Sequence, residues 1–323
     1  MSPVTIEDQR PDPKPRKHPR LWQAYQTWYE LVELRKKHTL RISSIEAGKS
    51  QFDLQFEKDF LQGMALDMQI EGGTMQFDDG IHPVVRQRIM GYKKIMIAMG
   101  EELGPIWQWI TSIRGFKEGS MAAQLLAQID DIGKFDTVSK LWRFAGLAVI
   151  DGKAERNTKG EVSHYNRLLK SICWLIASQF VRHQTIIYVD IYYEEKQRIK
   201  GLHPNPVCCK CGAQGKEGKS NTKGESFTTW KCPNANSSKE HRIDYTPIHI
   251  DLMAKRKMSK IFLQHLWLKW REYEGLSISE PYVQAIMGHT HIIPPPEFDN
   301  IDVNEWDDWI DSVDNIYNDD QEE

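Results

Sequence analysis

The sequence predicts a mainly α-helical protein with one small β-prone insertion. Three observations carry that expectation. Apolar residues recur at three- and four-residue spacing through most of the chain before Gly201, the period of a helix that buries one face. Short breaks containing glycine interrupt this pattern at Gly115–Gly119 and Asp151–Glu161. From Gly201 to about His249 the composition turns to Gly, Lys, Ser, Asn and Cys, and the helical period disappears.

Taken in order, residues 1–20 hold Pro3, Pro11, Pro13, Pro15 and Pro19 among charges, which predicts a disordered leader. Residues 21–103 read as a helical arm. Its first helix, Leu21 to about Glu46, aligns Leu21, Tyr25, Trp28 and Val32 on one face. A second, near Phe52 to Ile70, spaces Phe56, Phe60, Met64 and Met68 four apart and ends at Glu71-Gly72-Gly73. The third follows His82-Pro83 and carries Val84, Val85, Ile89, Met90, Ile95 and Met96. These stripes are read as helix-packing core, because heptads are not sustained long enough for a coiled coil. Residues 104–200 form a helical domain, 201–249 the insertion, and 250–296 a helical continuation of the same domain. That last segment starts at Thr246-Pro247, with Thr as N-cap and Pro in the first turn. It carries Met258, Ile261, Phe262, Leu266 and Trp270, and Pro294-Pro295-Pro296 closes it.

Hydrophobic residues at 40% and charged residues at 27% are ordinary for a soluble globular chain, and 323 residues suffice for two or three modest domains. Met1–Arg20 has no apolar core of signal-peptide type, and no apolar run reaches bilayer length, so a cytoplasmic protein without a membrane partner is expected. The net charge of -3 conceals an asymmetry. The acidic tail, residues 297–323, holds 12 Asp/Glu and no Lys/Arg, which leaves 42 basic against 33 acidic residues in front of it. A basic body with an acidic tail suits a nucleic-acid binder, and equally an enzyme with a solubilising tail.

Four of the five cysteines cluster in Cys208-Cys209-Lys210-Cys211-Gly212 and Cys232. In a cytosolic chain such clustering indicates metal or redox chemistry before disulfides. Cys208 and Cys211 have knuckle spacing, and Cys232 with His241 completes C-x2-C-x20-C-x8-H, a tetrahedral Cys3His set. Three sulfurs and one imidazole leave no open position, so the expected cofactor is structural Zn2+. Cys209 is the alternative to Cys208, and the β-prone run Phe227–Trp230 suits a zinc ribbon. Cys173, within Ile172–Ile176, reads as core. His289 and His291 with His249 form a weaker metal-ligand set.

The stretch Trp109–Leu126 reads as helix, glycine turn, helix. Helix-hairpin-helix units of this kind hold a nucleic-acid backbone, because amides at a helix N-terminus face phosphate. Arg114, Gly115, Lys117, Gly119 and Ser120 are the expected DNA contacts, with Ser120 as cap of the second helix; a plain αα-hairpin accounts for the glycines equally. Lys153, Arg156 and Lys159 in the next break are further phosphate contacts. Lys255, Arg256 and Lys257, on a helix whose other face is apolar, are either a solvated face or a phosphate-contacting strip. The fold class is therefore a mainly α protein: a helical arm plus a helix-hairpin-helix-like helical domain with an inserted small zinc ribbon.

Beyond the hairpin come Leu126-Ala127-Gln128-Ile129-Asp130-Asp131-Ile132-Gly133-Lys134-Phe135 and then Leu141-Trp142-Arg143-Phe144-Ala145-Gly146-Leu147. This order resembles the C-terminal domain of the insertion-sequence 110/116/902 transposases, as do Lys159-Gly160-Glu161 and the helix through Asn166–Lys170. The resemblance implies DNA as partner and a role in DNA transposition and recombination. It also marks departures. Full members begin with an RNase-H-like domain whose acids bind metal, whereas the first hundred residues here read as helices. The family's nucleophilic serine follows "A-G-L" closely, but Ala148–Arg156 contains no serine, and Ser163 is expected to cap a helix. Lys117 replaces the second glycine of the family's "G-h-G" turn, and the zinc ribbon is not a general family feature.

The expected function is a DNA-binding, transposase-like protein of a mobile element, with no catalytic residue assigned. The alternative is a catalytically inactive, domesticated adaptor for DNA or a structured RNA. A protein–protein scaffold is the third class, and a catalytic partner chain and homo-oligomerisation accompany the first.

Overall fold

Proline opens three of the long helices, at the position where its missing amide costs nothing and its fixed φ suits the first turn. In the computed structural model, which describes residues 15–49, 83–150, 153–154, 163–222, 225–234, 241–278 and 293–296, α1 spans Pro19–Glu46 and α2 spans Pro83–Glu101. The two pack side by side. Trp28, Leu31, Val32 and Ile42 of α1 close around Ile89 of α2 in a small satellite core. Leu21, Ala24 and Tyr25 at the start of α1 enter the main core, as does Met96. Met90 and Ile95, expected on the buried stripe, are 46% and 48% exposed. Ile89 and Met96 lie seven apart, two full turns, so their face takes the burial and the flanking positions do not. The helix expected over Phe52–Ile70 lies outside the described residues.

Residues 15–20 correct the expected leader boundary. The Lys17 and His18 amides donate to the Asp130 carboxylate at 3.3 and 3.0 Å, and the Arg16 guanidinium lies 3.4 Å over the Trp22 ring. A buried carboxylate accepting backbone hydrogen bonds fixes this segment, which proline content alone suggested would be loose.

The body follows as α3 (Pro105–Ser112), α4 (Ser120–Ile129), a 3-10 turn (Ile132–Lys134), α5 (Val138–Phe144), α6 (Arg167–Arg182) and α7 (Tyr188–Leu202). Strands β1 (Val149–Ile150) and β2 (Lys153–Ala154) make one short antiparallel pair after α5. The ribbon contributes β3 (Val207–Cys208), β4 (Lys216–Thr222), β5 (Glu225–Lys231) and β6 (Ile243–Asp244), paired antiparallel as β3–β6 and β4–β5. Helix α8 (Pro247–Tyr273) then returns through the body.

Ala254, Met258, Phe262, Leu263, Leu266, Trp267 and Trp270 of α8 share one core with α4, α5 and α6, so the helix after the insertion does continue the body. Its aromatic centre sets Phe262 at 5.5 Å from Phe116 and 5.2 Å from Phe180, with Tyr188 stacked 4.6 Å from Phe180. Two of the buried indoles donate to carbonyls of the core, Trp267 to Phe135 at 2.7 Å and Trp142 to Lys260 at 2.9 Å. Cys173 is buried in this core as expected. Trp109 donates to the Pro296 carbonyl at 3.1 Å, which ties the proline run to the body.

Thr246 caps α8 as expected, accepting from the His249 amide at 3.2 Å. Two other caps differ from expectation. Gly119 occupies the position before α4, and Ser120 is the helix's first residue, its hydroxyl receiving Gln124 at 3.4 Å. Asn166 caps α6 through the Leu169 amide at 2.9 Å, while the Ser163 hydroxyl donates to the Tyr165 carbonyl at 3.3 Å. Among the described residues no helix is long and apolar enough to cross a membrane.

Candidate metal centre and nucleic-acid interface

The knuckle is built by β3 and its turn. The Cys208 amide donates to Ala213 at 2.8 Å and the Gly212 amide to Cys208 at 2.9 Å, closing a tight loop that turns Cys208 and Cys211 inward. Pairing of Cys208 with Ile243 across β3–β6 then brings His241 beside them. The Sγ atoms of Cys208, Cys211 and Cys232 and one ring nitrogen of His241 all lie within 4.8 Å of one another. Nδ1 of His241 is 3.4 Å from Cys208 and 3.5 Å from Cys232, and the sulfurs of Cys211 and Cys232 are 3.5 Å apart. Tetrahedral ligands at about 2.3 Å from one ion stand about 3.7 Å apart, close to this spacing. These four groups could hold a metal ion. Cys208 stands in this group, whereas Cys209 is exposed and outside it. The His241 ring turns Nδ1 toward the sulfurs, an orientation the spacing did not reveal.

Two of the three sulfurs are shifted toward the anionic form that a metal ligand takes. An Ala213 amide hydrogen bond pulls the Cys211 thiol down to about 7, helped by Cys232. Burial opposes ionisation of Cys208, but the Cys211 and Lys210 amides outweigh it and the shift is downward. Cys232, where burial dominates, is raised.

At the ribbon's base the His203 and Tyr245 rings stack at 3.6 Å, joining the strand that leaves α7 to the strand that enters α8. Nδ1 of His249 accepts the Tyr245 amide at 3.1 Å, so this histidine is engaged in the ribbon's stalk. His289 and His291 lie outside the described residues. Phe227–Trp230 falls within β5 as expected. Register sets Lys216 directly opposite Lys231, a cross-strand pair of exposed cations that linear sequence did not bring together.

The hairpin is nailed to the body by Phe116, which is 2% exposed between Phe180 and Phe262. On either side of it Gly115 and Gly119 take φ of +100° and +72°. A Cβ at Gly119 would also stand 2.9 Å from the Trp107 ring, so both backbone and space require glycine there. Arg114 is half-buried, its carbonyl accepting Thr185 at 3.0 Å, and Lys117 is exposed on the turn. A concavity of about 370 Å³ lies against this turn, lined by Arg114, Lys117, Ser120, Gln124, Gln179 and His183, and by Glu118, which is paired with Lys93 at 3.3 Å. Gln179 and His183 come from the end of α6, and no local pattern marked them. The first-turn amides of α4 have no partner within the helix, as in any helix start.

The remaining expected contacts are placed differently. Lys255 pairs with Asp251 at 3.0 Å, and Lys257 with Glu195 at 2.9 Å. Glu195 also takes Arg198 at 2.7 Å, and these bonds hold its carboxyl below the usual range, Arg198 foremost. Lys255 and Lys257 therefore bind acids of their own fold, the latter across α7 and α8, in place of an open row of cations. Lys153 lies in β2, while Arg156 and Lys159 lie outside the described residues.

Comparison with known families adds one finding. Residues 108–192 match the transposase IS116/IS110/IS902 family. The match runs from α3 through the hairpin, α4, α5 and α6 into the start of α7; the arm, ribbon and α8 lie outside it. Within it, Leu141, Ala145 and Leu147 are buried, and Gly146 takes φ +66° where a Cβ would lie 2.5 Å from Tyr165. No curated protein and no solved structure matches the chain.

Proposed function

We propose that this chain is the DNA-binding protein of a transposition system, holding the phosphate backbone at the α3–α4 hairpin. The observation that carries this is the hairpin itself. It lies in the segment that matches the transposase family. It presents Arg114, Lys117 and the first amides of α4 around one concavity. Positive side chains beside a helix N-terminus favour an anion, and phosphate contacts of this kind position a duplex without reading its sequence. In this reading the metal at Cys208, Cys211, Cys232 and His241 is zinc, and its role is structural: the four donors complete a tetrahedron and leave no site for substrate. It steadies a ribbon whose Lys216 and Lys231 extend the basic surface.

The test is equilibrium binding of a labelled DNA duplex across a salt series. Affinity should fall steeply with salt, with each phosphate contact adding about 0.9 to the logarithmic slope. Changing Arg114 and Lys117 together to alanine should reduce that slope by about 1 to 2 and weaken all sequences alike. Salt-independent affinity, or a double variant that binds as the parent does, would overturn the hairpin assignment.

A second reading, a non-cutting adaptor for DNA or a structured RNA, is favoured by one observation. The Ser163 hydroxyl is already spent on the Tyr165 carbonyl, and no serine stands between Leu147 and Ser163.

A further inference from the structure

The outer face of α6 takes no part in the function above. Arg167, Ser171, Trp174, Ser178 and Arg182 recur at three- and four-residue steps, so they share the side turned away from the buried Ile176 and Phe180. Trp174 is 51% exposed and Leu175 beside it 43%. The indoles of Trp142 and Trp267 donate to carbonyls of the core. The Trp174 side chain, among the described residues, meets neither a hydrogen-bond acceptor nor another ring. Half of it stands in solvent.

The charge on this face has one sign. α6 contains no Asp or Glu. Arg167 and Arg182 are exposed at its two ends, and among the described residues neither has an ion-pair partner. Lys170 does not count with them, because its ammonium already lies over the Tyr165 ring at 4.2 Å. Ser171 and Ser178 donate back to the Arg167 and Trp174 carbonyls, each at 3.0 Å. At 1.5 Å per residue the two arginines stand about 22 Å apart along the axis, with Trp174 near the middle. That track is long enough for about four nucleotides, the lower end of single-strand site sizes. It also adjoins the hairpin: Gln179, one turn beyond Leu175, and His183, next to Arg182, line the hairpin concavity.

We propose that the outer face of α6 binds an unpaired DNA strand, with a base stacked on Trp174 and phosphates on Arg167 and Arg182. A chain of evenly spaced negative charge fits a face with cations at both ends and no acid between them. The aromatic in the middle selects the unpaired form, because a base inside a duplex is stacked on its neighbours and cannot lie on an indole. The inference rests on the DNA-binding reading above and deepens it: a duplex held by its backbone at the hairpin passes its single-stranded end onto α6.

The experiment compares the full-length protein on a blunt duplex and on the same duplex with a single-stranded DNA tail. The tailed duplex should bind about tenfold tighter or better, the scale of one base stacking on an aromatic side chain. Trp174→Phe should keep most of that gain. Trp174→Leu, still apolar, should lose it while blunt-duplex affinity stays in place. Changing Arg167 and Arg182 together to alanine should lower the salt slope of tailed-duplex binding by about 1.4, two single-strand phosphates at about 0.7 each. All three positions are exposed, so these variants should fold as the parent does, which circular dichroism checks. Equal binding of the two duplexes, or a tail preference unchanged in Trp174→Leu, overturns the site. An RNA tail bound more tightly than the DNA tail overturns the choice of DNA. If the tail adds nothing and the chain self-associates through Trp174, the face belongs to a second copy. If neither duplex binds, the DNA-binding reading falls first. A free single-stranded oligonucleotide then judges α6: binding lost in Trp174→Leu keeps the site, and no binding overturns it.

Discussion

The Tyr188 hydroxyl donates to Nδ1 of the fully buried His265 across 3.0 Å, and the fold dictates that direction. Nε2 of the same ring lies 2.9 Å from the Ile293 carbonyl, which can only accept. The proton therefore sits on Nε2, and Nδ1 accepts. One ring links α7, α8 and the closing segment at Ile293–Pro296, and a second proton would put a charge in the core and reverse the bond to Tyr188.

That arrangement makes stability depend on pH. Burial lowers His265 from 6.5 to about 4. The unfolded chain thus binds more protons between those values, so the contribution is complete above 6.5 and is lost as pH falls toward 4. Stability at pH 5 should be about 2 kcal/mol below that at pH 7.5 on account of this one group. His18, also lowered by burial, acts in the same direction. Urea unfolding at both pH values measures the sum, and the difference between the parent and His265→Gln isolates the buried ring. An unchanged pH slope in that variant would count against the pairing.

Gly146 has a different sensitivity. Its φ of +66° is strained for any L side chain, and an added Cβ would lie 2.5 Å from Tyr165. Gly146→Ala should cost about 2 kcal/mol or more, combining backbone strain with overpacking. Gly91→Ala, where a Cβ meets nothing within 4 Å, is the internal control and should be neutral or stabilising. Thermal unfolding of the two variants side by side reads the contrast.

Metal analysis of the purified chain should find one zinc per molecule, bound through Cys208, Cys211, Cys232 and His241. Chelation, or Cys232→Ser, should raise amide exchange across the ribbon and leave the helical circular dichroism nearly intact, because β3–β6 packs apart from the α8 core. Absence of zinc, or collapse of the helical signal on chelation, would contradict this.

The chain by itself should neither cut nor join DNA. Incubation with supercoiled and branched DNA in the presence of Mg2+ should give no nicks and no covalent protein–DNA adduct. An adduct abolished by Ser163→Ala would establish that serine as a nucleophile and make the chain an enzyme.

Local chemistry was legible without a fold. The C-x2-C-x20-C-x8-H spacing named the four groups that stand together and could hold a metal ion, because a knuckle is a turn and turns are encoded by adjacent residues. The Thr246-Pro247 start of α8 and the glycine-bounded hairpin were read for the same reason. The family resemblance was legible as well, since it resides in the order of short motifs. Tertiary structure decided what depends on residues far apart in the chain. Lys257 read as part of a solvated face or a phosphate-contacting strip until packing supplied Glu195 of α7 as its partner. Residues 15–20 looked loose until Asp130, more than a hundred positions away, accepted their amides. Gln179 and His183 reached the hairpin only because α6 ends beside it. A side chain's type is fixed by sequence, but its partner is fixed by packing, and it is the partner that determines whether a charge is spent within the fold or left for a ligand.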